Sequence, residues 1–586
     1  MKKINYKLSI FLFVGMLFVI YSCSKSFLEK RPIGPTDQTT LANKDGVAGL
    51  LIGAYSLLDG IGGASGGWGS AASNWVYGGV QSDDAYKGSE SGDQPDINPI
   101  ETYSVTASNG YPIQKWNLCY DGIQRANDVL RVMALAEDMT EQEKKLVEAE
   151  VKFLRGHYHF ELKRVFNYVP FIDETISYSA GNYKVSNKNG ADFVNIWPNI
   201  EADFQFAAEN LPATQPQVGR ANSWAAKAYL GKVYLYQQKW AQAKEQFDAV
   251  IQNGTTSNGL KYELTPIFAD NFNPAKKNNS ESVFAAQMSV QDGAGGFNGN
   301  YGDALNFPSG GPANCCGFYQ PSQSLVNSYK VNAAGLPLLD TYNQDDVKND
   351  LGVPATSPFT PDTRALDPRL DWTVGRRGIP YLDYGVHPGA AWIRLQSYGG
   401  PYSPIKNVYY KSQTGQLSDT YDGWATNQVT ANNVTIIRFA DVLLMAAEAE
   451  VELGNLEAAR ALVNRVRRRA ANPAGFVKNG GADAANYEIG EYTAAWTDKA
   501  TAQKAVRFER KLELAMEGVR FFDLVRWGIA DVELNAYLNK EKATKSYLAN
   551  AQFVKGKNEY MPIPQEAIDR SAVDGVPTIE QNPAYK

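Results

Sequence analysis

The sequence predicts a mainly α-helical protein, in which tetratricopeptide-like helical hairpins form a scaffold that carries long, loop-rich insertions. Three observations lead to this fold class. A long amphipathic helix is predicted over residues 140–166, and two later segments have the spacing of helical hairpins. The stretches of about 60–110 and 270–435 are instead rich in Gly, Pro, Asn and Tyr. The first two patterns indicate helices packed on helices, and the third indicates loops.

Residues 1–22 have the pattern of a lipoprotein signal peptide. Three lysines precede an apolar run that is too short to span a membrane. Ser22 then stands directly before Cys23, which predicts cleavage at this point and lipidation of the Cys23 thiol. An ordinary cleaved signal with an incidental cysteine is the alternative, because Tyr21 is bulky for its position. The mature chain would then comprise residues 23–586.

The charge balance argues against a nucleic-acid partner. The formal net charge is −6 for the whole chain, and it becomes −9 when the three lysines of the signal peptide are removed. A protein with net negative charge is poorly suited to neutralise the phosphates of a nucleic acid. The sequence also has no phosphate-binding loop and no zinc-spaced set of Cys and His, so we predict neither a cofactor nor a metal site.

The amphipathic helix is expected to begin after Thr140. Thr140 and Glu143 have the spacing of a capping box, in which two side chains satisfy free backbone donors at the helix start. Apolar residues recur at helical spacing up to Phe166, and Pro170 ends the pattern. A second helix is predicted to start at Pro198, because proline is well tolerated in a first helical turn.

Two helical hairpins are predicted further along the chain. The first covers 222–253 and the second begins near Phe439. In both, small residues let two helices approach closely while larger residues fill the groove between them. An ordinary antiparallel helix pair would have the same spacing and is the alternative. The residues at the repeat offsets are Leu230, Gly231, Tyr234, Trp240, Ala243 and Phe247 in the first hairpin, and Ala446, Ala447, Gly454, Leu456, Ala459 and Val463 in the second.

The loop-rich insertions are the expected location of a binding site, because a rigid helical body can support long loops. These loops contain many aromatic residues. The apolar C–H face of a sugar ring stacks on an aromatic ring, while polar side chains satisfy the sugar hydroxyls. For any single aromatic residue, ordinary packing is the alternative. The candidate ligand-binding residues are Trp68, Trp75, Tyr77, Asp83, Asp84, Tyr86, Tyr301, Phe318 and Tyr319. Among these, we expect stacking on Trp75, Tyr77 and Tyr319 with polar help from Asp83 and Asp84.

The sequence does not predict catalysis. Residues 63–67 match the nucleophile-elbow pattern, but no strand is predicted before them. His157 and His159 point to different faces of a helix, which favours packing roles over shared metal ligation. Asp83 and Asp84 are the best local carboxylate pair, although neighbours in sequence rarely flank one glycosidic bond. A glycoside hydrolase with other carboxylates is therefore a less favoured alternative.

Cysteine is rare in the predicted mature chain. Besides Cys23 it has Cys119 and the adjacent pair Cys315 and Cys316, too few for a disulfide framework. The adjacent pair is compatible both with a vicinal disulfide and with two free thiols, because sequence does not fix sulfur geometry.

Several motifs, in order along nearly the whole mature chain, resemble the SusD/RagB family of Bacteroidetes outer-membrane lipoproteins. The resemblance begins at residues 23–29, continues at 149–155 and 367–370, and is most specific in the C-terminal half. There the motifs are Arg438-Phe439-Ala440-Asp441-Val442-Leu443-Leu444-Met445, Asn464-Arg465-Val466-Arg467, Glu509-Arg510-Lys511-Leu512-Glu513-Leu514, Glu517-Gly518-Val519-Arg520, Asp523-Leu524-Val525-Arg526-Trp527-Gly528, Pro562-Ile563-Pro564 and Gln581-Asn582-Pro583. Their opposite charges at helical spacing indicate structural ion pairs that fix helices against one another, not catalytic groups.

The resemblance implies a function as well as a fold. It implies a non-enzymatic, surface-exposed outer-membrane lipoprotein that binds an oligosaccharide or polysaccharide and delivers it to a TonB-dependent, SusC-like transporter for glycan uptake. A peptide or protein-fragment receptor of the same family, and a structural lid that binds only the transporter, are alternatives. Ligand loops vary in this family, so no residue of the binding site follows from the motifs.

Overall fold

The computed structural model describes residues 38–60, 67–421 and 423–586. The predicted signal peptide, the lipidation site Cys23 and most of the nucleophile-elbow match therefore lie outside the described residues. The α-helices are α1 Gln38–Leu41, α2 Lys44–Tyr55, α3 Asn98–Glu101, α4 Gly110–Met133, α5 Glu141–Phe166, α6 Trp197–Asn210, α7 Ser223–Tyr236, α8 Trp240–Asn253, α9 Gln323–Ser328, α10 Leu370–Thr373, α11 Gln396–Gly399, α12 Phe439–Glu452, α13 Leu456–Ala470, α14 Lys499–Leu514, α15 Arg520–Arg526, α16 Ala530–Glu541 and α17 Gln565–Arg570.

The strands are short and form two-stranded antiparallel sheets. The pairs are β1 with β5, β2 with β3, β4 with β10, β6 with β7, β8 with β9, and β11 with β12. Their bounds are β1 Ala85–Gly88, β2 Lys188–Asn189, β3 Asp192–Phe193, β4 Ser282–Ala286, β5 Phe318–Pro321, β6 Val374–Gly375, β7 Ser403–Pro404, β8 Ser418–Asp419, β9 Val429–Thr430, β10 Val434–Arg438, β11 Lys478–Asn479 and β12 Ala482–Asp483. The predicted mainly α-helical fold is confirmed.

The long helices pack against their neighbours in sequence and so form the scaffold. Helix α5 contacts both α4 and α6, α6 contacts α7, and α7 contacts α8. Helix α12 then lies against α8, α13 and α14, which joins the first hairpin to the second. Among the described residues, no helix is both long enough and apolar enough to cross a membrane.

Local sequence signals explain where the scaffold helices begin and how closely they pack. The predicted capping box is present at the start of α5, where the Thr140 backbone N–H donates to Glu143 at 2.9 Å and the Glu143 N–H donates to the Thr140 hydroxyl. In the α7–α8 hairpin, Gly231 lies against Phe247. A Cβ atom at position 231 would come within 2.6 Å of the phenyl ring. The small residue at this repeat offset is therefore required by the packing.

The two loop-rich stretches pack on each other as well as on the helices. Strand β1 of the first stretch pairs with β5 of the second, with Ala85 opposite Pro321. Between residues 270 and 435 the longest α-helix is α9, with six residues. These stretches therefore hold their position through strand pairs, short turns and side-chain contacts.

Buried ion pairs fix the C-terminal helices, as the charged motifs predicted. Arg438, which is 2% exposed, contacts Glu513 at 2.6 Å and Glu517 at 2.9 Å. Arg510 contacts Asp441 at 2.8 Å and Asp523 at 3.0 Å. These contacts join strand β10 and helices α12, α14 and α15, so the conspicuous family motifs have a structural role.

Candidate functional site

An aromatic group opens to solvent where the two loop-rich stretches meet. It contains Trp68, Phe297, Tyr301, Tyr421 and Trp424, and we call it the aromatic surface. The Trp68 and Tyr301 rings are stacked, with centroids 5.8 Å apart and planes inclined by 18°. Trp424 meets Trp68 edge-on at 6.4 Å. Tyr421 lies 5.3 Å from Tyr301 and 6.0 Å from Phe297.

The rings of the aromatic surface form two layers. Tyr301 is buried and supports the others from below, and Trp68 and Tyr421 are half-buried. Phe297 is 54% exposed and Trp424 is 41% exposed. The outer layer therefore offers apolar ring faces to a ligand, while the inner layer fixes their positions.

Backbone hydrogen bonds bring the loops of the aromatic surface together. The Asn300 N–H donates to the Thr430 carbonyl at 2.9 Å, and the Gln291 side chain donates to the Ser418 carbonyl at 3.1 Å. Gly296 has φ +80° and lies against the same hairpin, where a Cβ would come to 3.1 Å from the Thr420 carbonyl oxygen. The β8–β9 hairpin thus holds residues 291–300 close to Trp424.

A carboxylate stands on the loop that carries Phe297. Asp292 accepts hydrogen bonds from the Asn298 side chain at 2.9 Å and from the Ala294 N–H at 3.0 Å. These hydrogen bonds lower the pKa of the exposed Asp292 carboxyl to about 2. The group is therefore ionised at neutral pH and can accept hydrogen bonds from a polar ligand.

Five of the predicted aromatic candidates lie elsewhere, in the core. Their exposed fractions are 0% for Trp75, 2% for Tyr77, 1% for Tyr86, 0% for Phe318 and 5% for Tyr319. The Trp75 ring packs against Phe318 and Tyr319, and its Nε1–H donates to the Gly302 carbonyl at 3.0 Å. The expectation that Trp75 and Tyr77 face a ligand is corrected, because both rings are buried in the core. Tyr319 is buried as well, although it lines a small cavity together with Asp303 and Lys406.

Tyr86 is a structural residue for a second reason. Its hydroxyl donates to the Glu541 carboxylate at 2.5 Å and accepts from the Gln323 N–H at 3.1 Å. It therefore links β1 to helices α9 and α16.

The predicted carboxylate pair is also buried. Asp83 contacts Lys511 at 2.6 Å and Arg520 at 2.8 Å, and Asp84 accepts from the Met516 N–H at 3.1 Å. Burial opposes ionisation of Asp83, but the charges of Arg520 and Lys511 outweigh it and lower the pKa of Asp83 below its usual range. Burial and the Asp83 charge raise the pKa of Asp84 to about 7. The pair belongs to an ion-pair network with α14 and α15 and not to a ligand surface.

All three histidines are buried and have hydrogen-bond partners. His157 pairs with the Tyr229 hydroxyl at 2.8 Å, and His159 pairs with the Arg155 carbonyl at 3.0 Å. His387 pairs with the Ser403 hydroxyl at 3.0 Å. Burial lowers the pKa of His157 to about 4. These histidines have the packing role that the sequence favoured. Within the ranges that the structure describes, no group of three or more His, Cys, Asp or Glu is arranged to hold a metal ion.

The cysteines divide into a pair and a single residue. The sulfurs of Cys315 and Cys316 face each other, so the two residues are positioned for a vicinal disulfide, one of the two alternatives compatible with the sequence. Cys119 is a buried free thiol within α4.

Sequence analysis found only part of the aromatic surface. Trp68 and Tyr301 were candidates, and the structure brings them together. Phe297, Tyr421 and Trp424 were missed. A usable signal exists for Trp424, because Asp, Gly, Thr and Asn surround it in the chain. An isolated aromatic residue in such a polar stretch has few apolar neighbours with which to pack.

The scaffold and its loops define a class of helical-hairpin proteins with extensive loop-rich insertions. The chain belongs to the SusD family, because the model of that family matches residues 280–585, just over half of the chain. A second family model, described as starch-binding associating with outer membrane, matches residues 75–235. Together the two matches lie on the scaffold and on both loop-rich stretches.

Individual relatives agree with this assignment along most of the chain. A SusD-like protein of Formosa agariphila is 26% identical over 89% of this chain and 90% of its own length. The structure is similar to that of a laminarin binding SusD-like protein, with a TM-score of 0.64 and 24% identity, covering 93% of this chain and 100% of the other. It is also similar to surface glycan-binding protein A from Bacteroides thetaiotaomicron in complex with laminarihexaose, with a TM-score of 0.61 and 18% identity, covering 92% and 99% of the two chains. At these identities the structural similarities establish the fold.

Proposed function

We propose that this protein captures an oligosaccharide or polysaccharide without cleaving it, and that the aromatic surface is where the glycan binds. The observation that carries the proposal is the exposure of Phe297 and Trp424 above the stacked pair of Trp68 and Tyr301. Membership of the SusD family supports the ligand class, since two structural relatives are described as binding laminarin or laminarihexaose.

The chemistry of the aromatic surface suits a sugar chain. Ring faces on Phe297 and Trp424 can cover the C–H faces of successive sugar units. The ionised Asp292 carboxylate can accept hydrogen bonds from the sugar hydroxyls. Because the supporting rings are already packed, little side-chain entropy is lost when the glycan binds.

We further propose that the protein is held at the outer membrane by a lipid on Cys23 and passes its ligand to a TonB-dependent, SusC-like transporter. The signal-peptide pattern before Cys23 supports the anchor. The family description that refers to association with the outer membrane supports the location. The family resemblance supports transporter delivery, and co-purification of the full lipoprotein with a barrel-forming partner would test it.

Affinity electrophoresis tests the capture proposal directly. The soluble chain 24–586 is run through native gels that contain laminarin, starch, xylan, glucomannan or pectin. We expect one polymer to slow migration without being degraded. The double variant Phe297→Ala/Trp424→Ala should then lose about ten-fold in affinity, because removing two stacking faces costs roughly 1–2 kcal/mol.

A matched control separates stacking from general loss of apolar surface. Leu260→Ala/Val532→Ala removes two exposed apolar side chains, 46% and 65% exposed, that lie outside the aromatic surface. This control should migrate like the wild type. Equal retardation of the wild type and Phe297→Ala/Trp424→Ala would reject the aromatic surface as the binding site.

A further inference from the structure

A second aromatic groove lies beside helix α4, in a different part of the molecule. It has a volume of about 620 Å³ and is lined by Trp116, Tyr120, Tyr178, Tyr183 and Ile579, among others. The sequence-predicted site does not include it. Its most exposed aromatic residues are Tyr178, which is 80% exposed, and Tyr183, which is 43% exposed.

The groove and the aromatic surface lie on opposite sides of helix α4. Gly69, next to Trp68, lies against Tyr111, where a Cβ atom would come within 2.9 Å of the Tyr111 backbone. Tyr120 is nine residues further on, which is about two and a half helical turns. Its side chain therefore points away from the side that Tyr111 occupies, so a ligand in the groove would not touch Trp68.

The exposed tyrosine rings form a platform that is already ordered. Their centroids are 4.7 Å apart and their planes are inclined by 37°. The turn that carries them is closed by hydrogen bonds from the Ser177 N–H to the Asn182 side chain at 2.9 Å and from that side chain to the Thr175 carbonyl at 3.0 Å. The two rings are therefore stacked on each other, and Tyr178, the more exposed of the two, offers its free face to solvent.

The floor of the groove is aromatic and fixed. The Tyr120 hydroxyl donates to the Pro170 carbonyl at 2.9 Å, and its ring lies 4.9 Å from that of Trp116. Trp116 in turn meets Phe166 edge-on at 5.2 Å. Asn117 and Gln124 line the same groove, with exposed amides on the same helix. Apolar faces and hydrogen-bonding groups thus alternate along α4.

The charged groups at the groove are engaged with one another. Arg570 forms an ion pair with Glu566, and the Lys184 ammonium donates to the Arg570 carbonyl at the end of helix α17. The Lys184 ammonium keeps its charge, because its partner is a neutral carbonyl, so the groove carries one positive charge beside its aromatic faces. Flat aromatic faces together with amide groups match the surface of a sugar chain.

From this geometry we infer a second carbohydrate site, in which the Tyr178 and Tyr183 rings stack on an oligosaccharide segment. This inference rests on the proposed function, because it assigns the same ligand class to a separate surface. Two sites on one protein strengthen binding to a polymer that engages both, since the second contact becomes intramolecular. A short oligosaccharide does not gain in this way.

The test compares five forms of the soluble chain 24–586 in the same polysaccharide gels. They are the wild type, Phe297→Ala/Trp424→Ala, Tyr178→Ala/Tyr183→Ala, the combination of these four substitutions, and Tyr178→Phe/Tyr183→Phe. With the polymer that retards the wild type, we expect each double variant to lose about ten-fold in affinity and the combination to lose retardation completely. Tyr178→Phe/Tyr183→Phe keeps both ring faces and should retain most of the affinity.

Each pattern of results decides between the two surfaces. A Tyr178→Ala/Tyr183→Ala variant that migrates like the wild type overturns the second site and leaves the proposed function intact. Loss confined to Tyr178→Ala/Tyr183→Ala supports the groove and rejects the aromatic surface. Absence of retardation of the wild type by every polymer overturns both and leaves a protein partner as the occupant to seek. Because both tyrosines are exposed, their substitution should leave the melting temperature unchanged, and the melting curve checks that each variant is folded.

Discussion

Trp75 and Trp424 both stand in loop-rich stretches, yet Trp75 is fully buried and Trp424 is 41% exposed. The difference lies in their neighbours. Trp75 occupies the π-helical turn Trp75–Val80, whose residues are all buried, and its indole N–H donates to the backbone of the other stretch. Trp424 follows a glycine in a polar hairpin connection and, among the residues that the structure describes, has one ring contact, which is edge-on with Trp68. The same residue type thus stabilises the insertions in one place and is available to a ligand in the other.

Replacing each tryptophan by alanine should distinguish the core role of Trp75 from the surface role of Trp424. This comparison has the largest expected effect on stability. Trp75→Ala removes a fully buried indole and should lower the free energy of unfolding by about 3–5 kcal/mol. Trp424→Ala should change it by less than about 0.5 kcal/mol, as expected for an exposed position. Urea denaturation followed by circular dichroism measures both values. Equal losses for the two variants would contradict the assignment of Trp75 to the core and of Trp424 to the surface.

Helix periodicity explains which parts of the structure could be predicted from the sequence. An amphipathic helix repeats its buried positions every 3.6 residues, so α5, the two hairpins and their ion pairs could be predicted from residues such as Thr140, Gly231 and Arg438. Loops have no such period. The sequence therefore showed that the insertions are rich in aromatic residues, but it did not distinguish Trp75, with Val76 and Tyr77 beside it, from Trp68 or Trp424.

The carboxylates required contacts that are distant in sequence. Asp83 meets Lys511 and Arg520, more than 400 residues further along the chain, and no local spacing predicts such a pair. From the sequence, Asp83 and Asp84 were expected to contact a sugar. The ion pair shows instead that the first loop-rich stretch is fastened to helix α14 and to Arg520 at the start of α15.

A second variant pair compares a buried with an exposed carboxylate, each of which contacts two cations. Asp83→Asn leaves Lys511 and Arg520 without their shared counter-charge and should lower the free energy of unfolding by about 3 kcal/mol, as when one partner of a buried pair is removed. Asp345→Asn also removes a carboxylate that contacts two cations, Lys330 and Arg364, but Asp345 is 66% exposed. Its loss should cost less than about 1 kcal/mol.

The measurement is urea denaturation at pH 8, where Asp83 is ionised. A cost for Asp83→Asn no larger than that for Asp345→Asn would show that the network contributes little to stability. The order of the two losses, more than their absolute size, is the informative result, since contributions of single ion pairs depend strongly on context.

The smallest expected effect concerns Asp84 and depends on pH. Its folded-state pKa of about 7 lies above its ordinary value of 3.8, because burial and the neighbouring Asp83 charge disfavour ionisation. A carboxyl with a raised folded-state pKa favours the folded state while it is protonated, and this contribution is lost as the pH rises toward 7. Asp84→Asn keeps an oxygen for the Met516 N–H but does not ionise. We therefore expect the free energy of unfolding of Asp84→Asn, relative to that of the wild type, to be higher at pH 8 than at pH 5. Urea denaturation of both proteins at each pH measures this difference. A pH-independent difference between variant and wild type would mean that Asp84 is ionised in the folded protein over this whole range, with Lys511 and Arg520 shared between both carboxylates.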